Sequence, residues 1–135
     1  MNKEYWKKVE DALNGVHGHA TLLVDGQEIN FIRAIVKKNR LGIVTYLAGE
    51  LNKEWCRPDI DFVEQKFLRP RSAYIYSSAD RRQLEKMSAR RRKMINAKDP
   101  DTKVKYYSLI WESVASIRRH YEKNFSDIKL VEVSG

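Results

Sequence analysis

The chain has 135 residues, of which 42% are hydrophobic and 33% are charged, and this length and composition predict one ordinary domain, 1–135, with a buried core. No apolar run approaches the ~18 residues that a membrane-spanning helix needs, and the first residues, MNKEYWKKVED, lack the apolar centre of a signal peptide. The single cysteine, Cys56, excludes an internal disulfide and fits a reducing compartment, so we expect a cytoplasmic protein.

The first part of the chain predicts a helix followed by an antiparallel sheet. Asn2 can cap the helix, and Asn14-Gly15 supplies its left-handed stop. Its apolar face consists of Tyr5, Trp6, Val9, Ala12, Leu13 and Val16. The spacing then changes to alternation, and Asp25-Gly26 is a strong hairpin signal. The predicted meander has strands at 19–24, 27–37, 41–47 and 51–56, joined by turns at 25–26, 39–40 and 48–49.

The segment from Ser78 to Lys98 predicts one amphipathic basic helix, with Ser78 as its N-cap and Asp80 in its first turn. Its inner face would consist of Leu84, Met87, Met94 and Ile95, and a basic stripe on another side would consist of Arg82, Lys86, Arg90 and Lys93. The preceding residues, 59–76, fit a short helix or a broken strand equally well, although we expect 73–76 to be extended.

Asp99-Pro100 indicates the start of another helix, which has the best-formed apolar stripe in the sequence. The stripe consists of Tyr107, Ile110, Val114, Ile117 and Tyr121, with Trp111 beside it. It belongs either to the core, which we favour, or to a homodimer or partner interface. Residues 127–133 predict a short final strand at a sheet edge. The predicted class is therefore α+β: a helix, a four-stranded meander, a basic helix, an aromatic helix and a strand.

Positive charge is concentrated between Lys66 and Lys98, where eleven Lys and Arg stand against two acids, Asp80 and Glu85. This quarter of the chain carries a net charge of +9. Since the whole chain carries +8, the remaining residues together carry −1. Solubilising charge normally mixes both signs, so the clustering favours a contact surface for an anionic partner.

The partner would be DNA or RNA, or an acidic protein surface in a nucleoprotein complex. Basic side chains would contact phosphates, and Tyr74 and Tyr76 would either stack on bases or close the core beneath the helix. The candidate binding residues are Arg69, Arg71, Tyr74, Tyr76, Arg81, Arg82, Lys86, Arg90, Arg91, Arg92 and Lys93.

The sequence contains no complete catalytic motif. Pro58-Asp59 and Glu64-Gln65-Lys66 have the letters of a restriction-type nuclease site, but four intervening residues are too few for the two paired strands that such a site requires. His17, His19, Cys56 and His120 lack the spacing of zinc ligands, and no phosphate-binding glycine loop is present. We therefore expect a binding protein rather than an enzyme, with no catalytic residues, metal or cofactor.

The sequence resembles small uncharacterised proteins encoded by bacteriophages and prophages. The shared features are the Tyr-Trp-Lys-Lys start, the Asp-Gly hairpin, the Lys/Arg-rich second half with RRQLEKMSARRRK, and an aromatic helix near the end. The resemblance implies the cytoplasm of an infected bacterium as the setting. It also implies an alternative to a nucleic-acid-binding accessory protein, namely a protein-directed inhibitor or adaptor such as an anti-CRISPR or other anti-defence protein. Both functions would use the same basic surface.

Overall fold

The computed structural model describes all 135 residues and has an α+β fold. The helices are α1 (Lys3–Leu13), α2 (Ser78–Glu85), α3 (Ala89–Met94) and α4 (Val114–Asn124). The strands are β1 (His19–Val24), β2 (Gln27–Lys37), β3 (Arg40–Leu47), β4 (Arg69–Tyr74), β5 (Lys103–Ser108), β6 (Ile110–Trp111) and β7 (Ile128–Ser134). Two 3-10 helices, Lys53–Cys56 and Val63–Phe67, lie between β3 and β4. The predicted α+β class is confirmed, and none of the helices has the length and apolar character needed to cross a membrane.

The chain divides into two compact units. The sheet unit comprises Met1–Arg69 and Tyr107–Gly135, and the basic unit, Pro70–Tyr106, is inserted between its two parts. The basic unit contains eleven Lys and Arg against four acids, a net charge of +7, which leaves +1 for the sheet unit. The charge asymmetry seen in the sequence therefore coincides with a structural division. That residues 1–135 act as a single domain stays a prediction.

The sheet unit is built on a five-stranded sheet with the order β6-β3-β2-β1-β7, in which every neighbouring pair is antiparallel. The predicted Asp25-Gly26 hairpin is confirmed, because both residues adopt positive φ angles, 47° and 85°, as a tight β1–β2 turn requires. The predicted edge strand near the end of the chain is also confirmed, since β7 pairs with β1 at one edge.

The predicted fourth meander strand, 51–56, is wrong. After β3 the chain turns at Ala48 and Gly49, and a single bridge between Leu47 and Glu50 closes that turn. The side chain of Asn52 then accepts a hydrogen bond from the Glu54 amide and starts a 3-10 helix. A local side-chain cap thus competes successfully with strand pairing. The place beside β3 is taken instead by β6, which comes from much later in the chain.

Helix α1 largely agrees with its prediction. The Asn2 side chain accepts a hydrogen bond from the Tyr5 amide at 3.1 Å, which is the expected N-cap. The buried face consists of Trp6, Val9, Ala12 and Leu13, whereas Tyr5 and Val16, which were predicted to belong to it, are exposed. The helix ends at the predicted place, but Asn14 keeps a right-handed conformation, so the stop is not the expected left-handed one.

The predicted long aromatic helix is replaced by two strands and a shorter helix. Asp99 accepts a hydrogen bond from the Asp101 amide in a turn, and the chain then extends as β5. Helix α4 begins only after Ser113, whose hydroxyl accepts from the Ser116 amide. Tyr107 and Ile110 therefore lie on strands, although their spacing is helical. Lysine alternates with an apolar or aromatic residue over 103–106, and this pattern fits a strand as well as the longer stripe fits a helix.

The core assignment of the apolar stripe is confirmed for its helical members. Val114, Ile117 and Tyr121 are buried against the hydrophobic core, while Tyr107 is half-buried and Ile110 is exposed. A homodimer interface through all five residues is therefore wrong, because three of them are already covered by their own chain. The Tyr121 hydroxyl donates to the Phe67 carbonyl at 2.6 Å, and burial raises the pKa of Tyr121 well above its usual value.

The ambiguous segment before the basic unit is organised by one glutamine. Gln65 is only 6% exposed, and its Nε2 atom lies 2.9–3.0 Å from the carbonyl oxygens of Trp55, Arg57 and Ile60. These contacts join the two 3-10 helices. The strand that follows, β4, includes Pro70 and ends at Tyr74, so the extended stretch begins and ends earlier than the predicted 73–76.

Candidate functional site

The basic segment forms two short helices, and the predicted single helix from Ser78 to Lys98 is wrong. Helix α2 is capped by Ser77, whose hydroxyl accepts from the Asp80 amide at 3.2 Å. Ser88 adopts an extended conformation and accepts from the Arg91 amide at 3.2 Å, which starts α3. Serine favours such caps over helix interiors, and this preference of Ser88 is the signal that would have placed the break.

The predicted inner face of the basic helix is mostly solvent-exposed. Leu84 is buried, but Met94 and Ile95 are 79% and 55% exposed, and α3 buries no residue. The break at Ser88 explains the failure. Apolar residues before and after it no longer share one helical phase, so a spacing counted across the break does not define a single face.

Six of the predicted binding residues form a cation cluster on α2, α3 and the turn between them. The cluster consists of Arg82, Lys86, Arg90, Arg91, Arg92 and Lys93. All are exposed except Arg92, which is half-buried. None of the nine salt bridges in the protein involves any of them. The positive charge of the cluster is therefore not neutralised by the protein itself.

Arg81 and Tyr74, both predicted as candidate binding residues, contact each other in the structure. The guanidinium carbon of Arg81 lies 3.5 Å from the centre of the Tyr74 ring, and a terminal nitrogen lies 3.5 Å from Asp101. Lys103 also lies near the Tyr74 ring, at 4.7 Å. The Arg81 side chain is only 24% exposed, so it holds the basic unit together and is not one of its freely available charges.

Tyr76 is held by its hydroxyl, which accepts a hydrogen bond from the Lys98 amide at 2.7 Å. Neither tyrosine is buried: Tyr74 is 42% exposed and Tyr76 is half-buried. Closing a core beneath the basic helix is therefore a poor description of both, since Leu84 and Pro100 are the only buried apolar residues between residues 70 and 106.

The two remaining candidate arginines differ in their surroundings. Arg69 belongs to the sheet unit and lies 3.7 Å from Glu112, whose carboxylate also binds Arg40 at 2.7 Å. Arg71 belongs to the basic unit, where its guanidinium lies 6.0 Å from the Tyr106 ring. Arg69 is thus engaged in an ion-pair network, while Arg71 is exposed and has no salt bridge.

Two basic residues of the same unit were missed by the sequence analysis. Lys103 and Lys105 are exposed on β5, and neither makes a salt bridge. They were assigned to the start of a helix outside the patch. The alternation of lysine with apolar or aromatic residues over 103–106 was the signal that could have placed them on a strand of the basic unit.

The residues with nuclease-like letters have ordinary surroundings. Asp59 accepts two hydrogen bonds from Arg57, at 2.7 and 3.1 Å, and this contact lowers the pKa of Asp59 and raises that of Arg57. Glu64 and Lys66 lie on a 3-10 helix. No group of three or more His, Cys, Asp or Glu is placed to hold a metal ion. Burial raises the pKa of the Cys56 thiol, which disfavours a reactive thiolate.

The fold and the cation cluster define a two-unit α+β protein with a strongly basic insertion. Comparisons with protein-family models, curated proteins and solved structures find no match to this chain.

Proposed function

We propose that the protein binds nucleic acid, and that the cation cluster of α2 and α3 contacts the phosphate backbone. The observation that supports this proposal is the absence of any salt bridge to the cluster's six cations. Six cations without internal partners can each neutralise a phosphate and release a condensed counterion, which is the main source of sequence-independent affinity. The cluster includes Arg82, Lys86, Arg90 and Lys93, the four residues of the predicted basic stripe.

Bringing these cations together has an energetic cost in the free protein. Arg82 and Lys86 are four positions apart at the end of α2, where like charges destabilise a helix by about 0.2–0.5 kcal/mol per pair. The nearest acids relieve little of this, because neither Asp80 nor Glu85 forms a salt bridge and the ion pair of Asp101 is with Arg81. An anionic partner would remove the repulsion, so binding should also stabilise the two helices.

The direct test measures affinity against salt concentration for a labelled oligonucleotide. Replacing Arg82, Lys86, Arg90 and Lys93 with Ala should lower the log–log salt slope by about 3 to 4 if each cation neutralises one phosphate. The matched control replaces four exposed lysines of the sheet unit that lack salt bridges, Lys3, Lys38, Lys53 and Lys123. The control removes the same charge and should leave most of the slope in place.

An equal loss in both variants would mean that net charge alone attracts the oligonucleotide and would contradict a defined surface. The alternative partner, an acidic protein surface, gives a different result. Affinity capture from host cells would then recover a protein whose binding survives nuclease treatment but is lost with the quadruple variant of the cluster. That outcome, combined with no oligonucleotide binding, would replace nucleic acid by protein as the partner.

A further inference from the structure

A groove of about 320 Å³ lies within the basic unit, beside α2. Tyr76, Leu84, Met87 and Ile95 supply an aromatic and apolar lining, and Gln83 and Asn96 add two exposed amides. The hydroxyl of Tyr76 is anchored to the Lys98 amide, so one end of its ring is fixed in position. The groove can therefore contact the flat apolar face of a ligand and can form hydrogen bonds with the polar edge of the same ligand.

The cation cluster borders this groove along α2. Lys86 lies three positions after Gln83, which lines the groove, and Arg82 lies four positions before Lys86. Residues three and four apart are neighbours on a helix surface, so Lys86 lies beside Gln83 at the edge of the groove, and Arg82 lies beside Lys86 on the side away from the groove. A phosphate held by Lys86 would lie next to the mouth of the groove.

We infer that the groove accepts a nucleobase of single-stranded nucleic acid whose phosphates lie on the cation cluster. This inference rests on the proposed function and specifies its ligand. The ring of Tyr76 and the side chains of Met87 and Ile95 would contact the face of the base, and the amides of Gln83 and Asn96 would bond its edge. Bases in a duplex are stacked and paired, so they could enter only after costly extrusion.

The charge distribution favours this ligand over an apolar peptide. Asp80 is part of the groove lining, so a phosphate is disfavoured inside it, whereas the amino groups of bases can donate to its carboxylate. The cations stand outside, on the flanking positions. A ligand with apolar rings and a regularly charged backbone fits this separation, whereas an apolar peptide would leave the unpaired cations without a partner.

The test compares three labelled probes of equal length: a mixed-sequence single strand, its duplex, and an abasic strand that has phosphates but no bases. The parent should bind the single strand more tightly than the abasic strand by roughly 5- to 150-fold, the range expected for stacking of one base. Two variants should lower this preference without changing the salt slope. Gln83→Ala deletes an edge contact, and Ala97→Leu fills the groove, since Ala97 is part of its lining.

Matched controls keep the result specific. Gln27→Ala changes the same residue type in the β1–β2 hairpin, and Ala73→Leu enlarges an exposed alanine of β4. Both should keep the preference for the single strand, and circular dichroism should show parent-like helix content in all four variants.

Equal parent affinity for the single and abasic strands, with binding still lost in the quadruple cation variant, would overturn the groove inference and leave the proposed function standing. The absence of binding to every probe would overturn both.

Discussion

The guanidinium carbon of Arg81 lies 3.5 Å from the centre of the Tyr74 ring, and this contact joins α2 to β4 within the basic unit. A unit of this kind needs such contacts, because Leu84 and Pro100 are its only buried apolar residues among residues 70–106. Domains of fewer than about 40 residues seldom bury enough apolar area to be stable without additional support. The Arg81–Asp101 ion pair adds to the same framework.

Arg81→Ala should therefore loosen the basic unit. Loss of a cation–π contact of about 0.5–2 kcal/mol predicts a roughly 2- to 30-fold increase in amide hydrogen exchange for α2. The control is Arg82→Ala, which removes the same charge from the next residue, an exposed one without a salt bridge. Equal exchange in the two variants would show that the contact with Tyr74 contributes nothing specific.

Val114→Asp should abolish cooperative unfolding or soluble expression. Val114 is 8% exposed and belongs to the hydrophobic core, and a buried carboxylate without a partner costs several kcal/mol. Ala115→Asp places the same charge on the adjacent, exposed position of α4 and should retain a parent-like melting temperature. Thermal unfolding followed by circular dichroism measures both, and a folded Val114→Asp protein with the parent's melting temperature would contradict the position of α4.

Gln65→Glu should destabilise the sheet unit strongly, although glutamine and glutamate have nearly the same shape. The Nε2 donor that faces three carbonyl oxygens becomes a carboxylate oxygen, which can only accept and is repelled by them. We expect a loss of at least about 1–3 kcal/mol in the free energy of unfolding, measured by urea denaturation. Gln27→Glu introduces the same charge in a hairpin and should change stability by less than about 0.5 kcal/mol. Similar losses in both variants would show that the donor role of Gln65 is unimportant.

Tyr121 should make the stability of the protein sensitive to alkaline pH. Burial raises its pKa in the folded state, so its contribution to stability is complete below the ordinary tyrosine pKa of about 10 and is lost as pH rises above that value. Tyr121→Phe removes both the titration and the hydroxyl bond to the Phe67 carbonyl. The parent should be more stable than this variant at pH 8, and the difference should shrink between pH 10 and pH 11. A difference that stays constant over this range would contradict the buried, neutral hydroxyl.

Short-range sequence signals determined several elements of this protein. The Asn2 cap, the Asp25-Gly26 hairpin and the strand at 19–24 each involve residues close in the chain, and all three appear as predicted. The concentration of charge was equally visible, because composition does not depend on the fold. The α+β class follows from these local patterns, which are decided by backbone preference and by burial of one face.

Tertiary structure alone decided which residues share a surface. β6 takes the place next to β3 that the sequence assigned to 51–56, and this depends on pairing between residues more than 60 positions apart. The separation of Arg81 and Tyr74 from the free cations likewise depends on a contact between β4 and α2 that no local pattern encodes. Charge is therefore fixed by sequence, whereas its availability to a partner depends on long-range contacts that determine which cations find partners inside the protein.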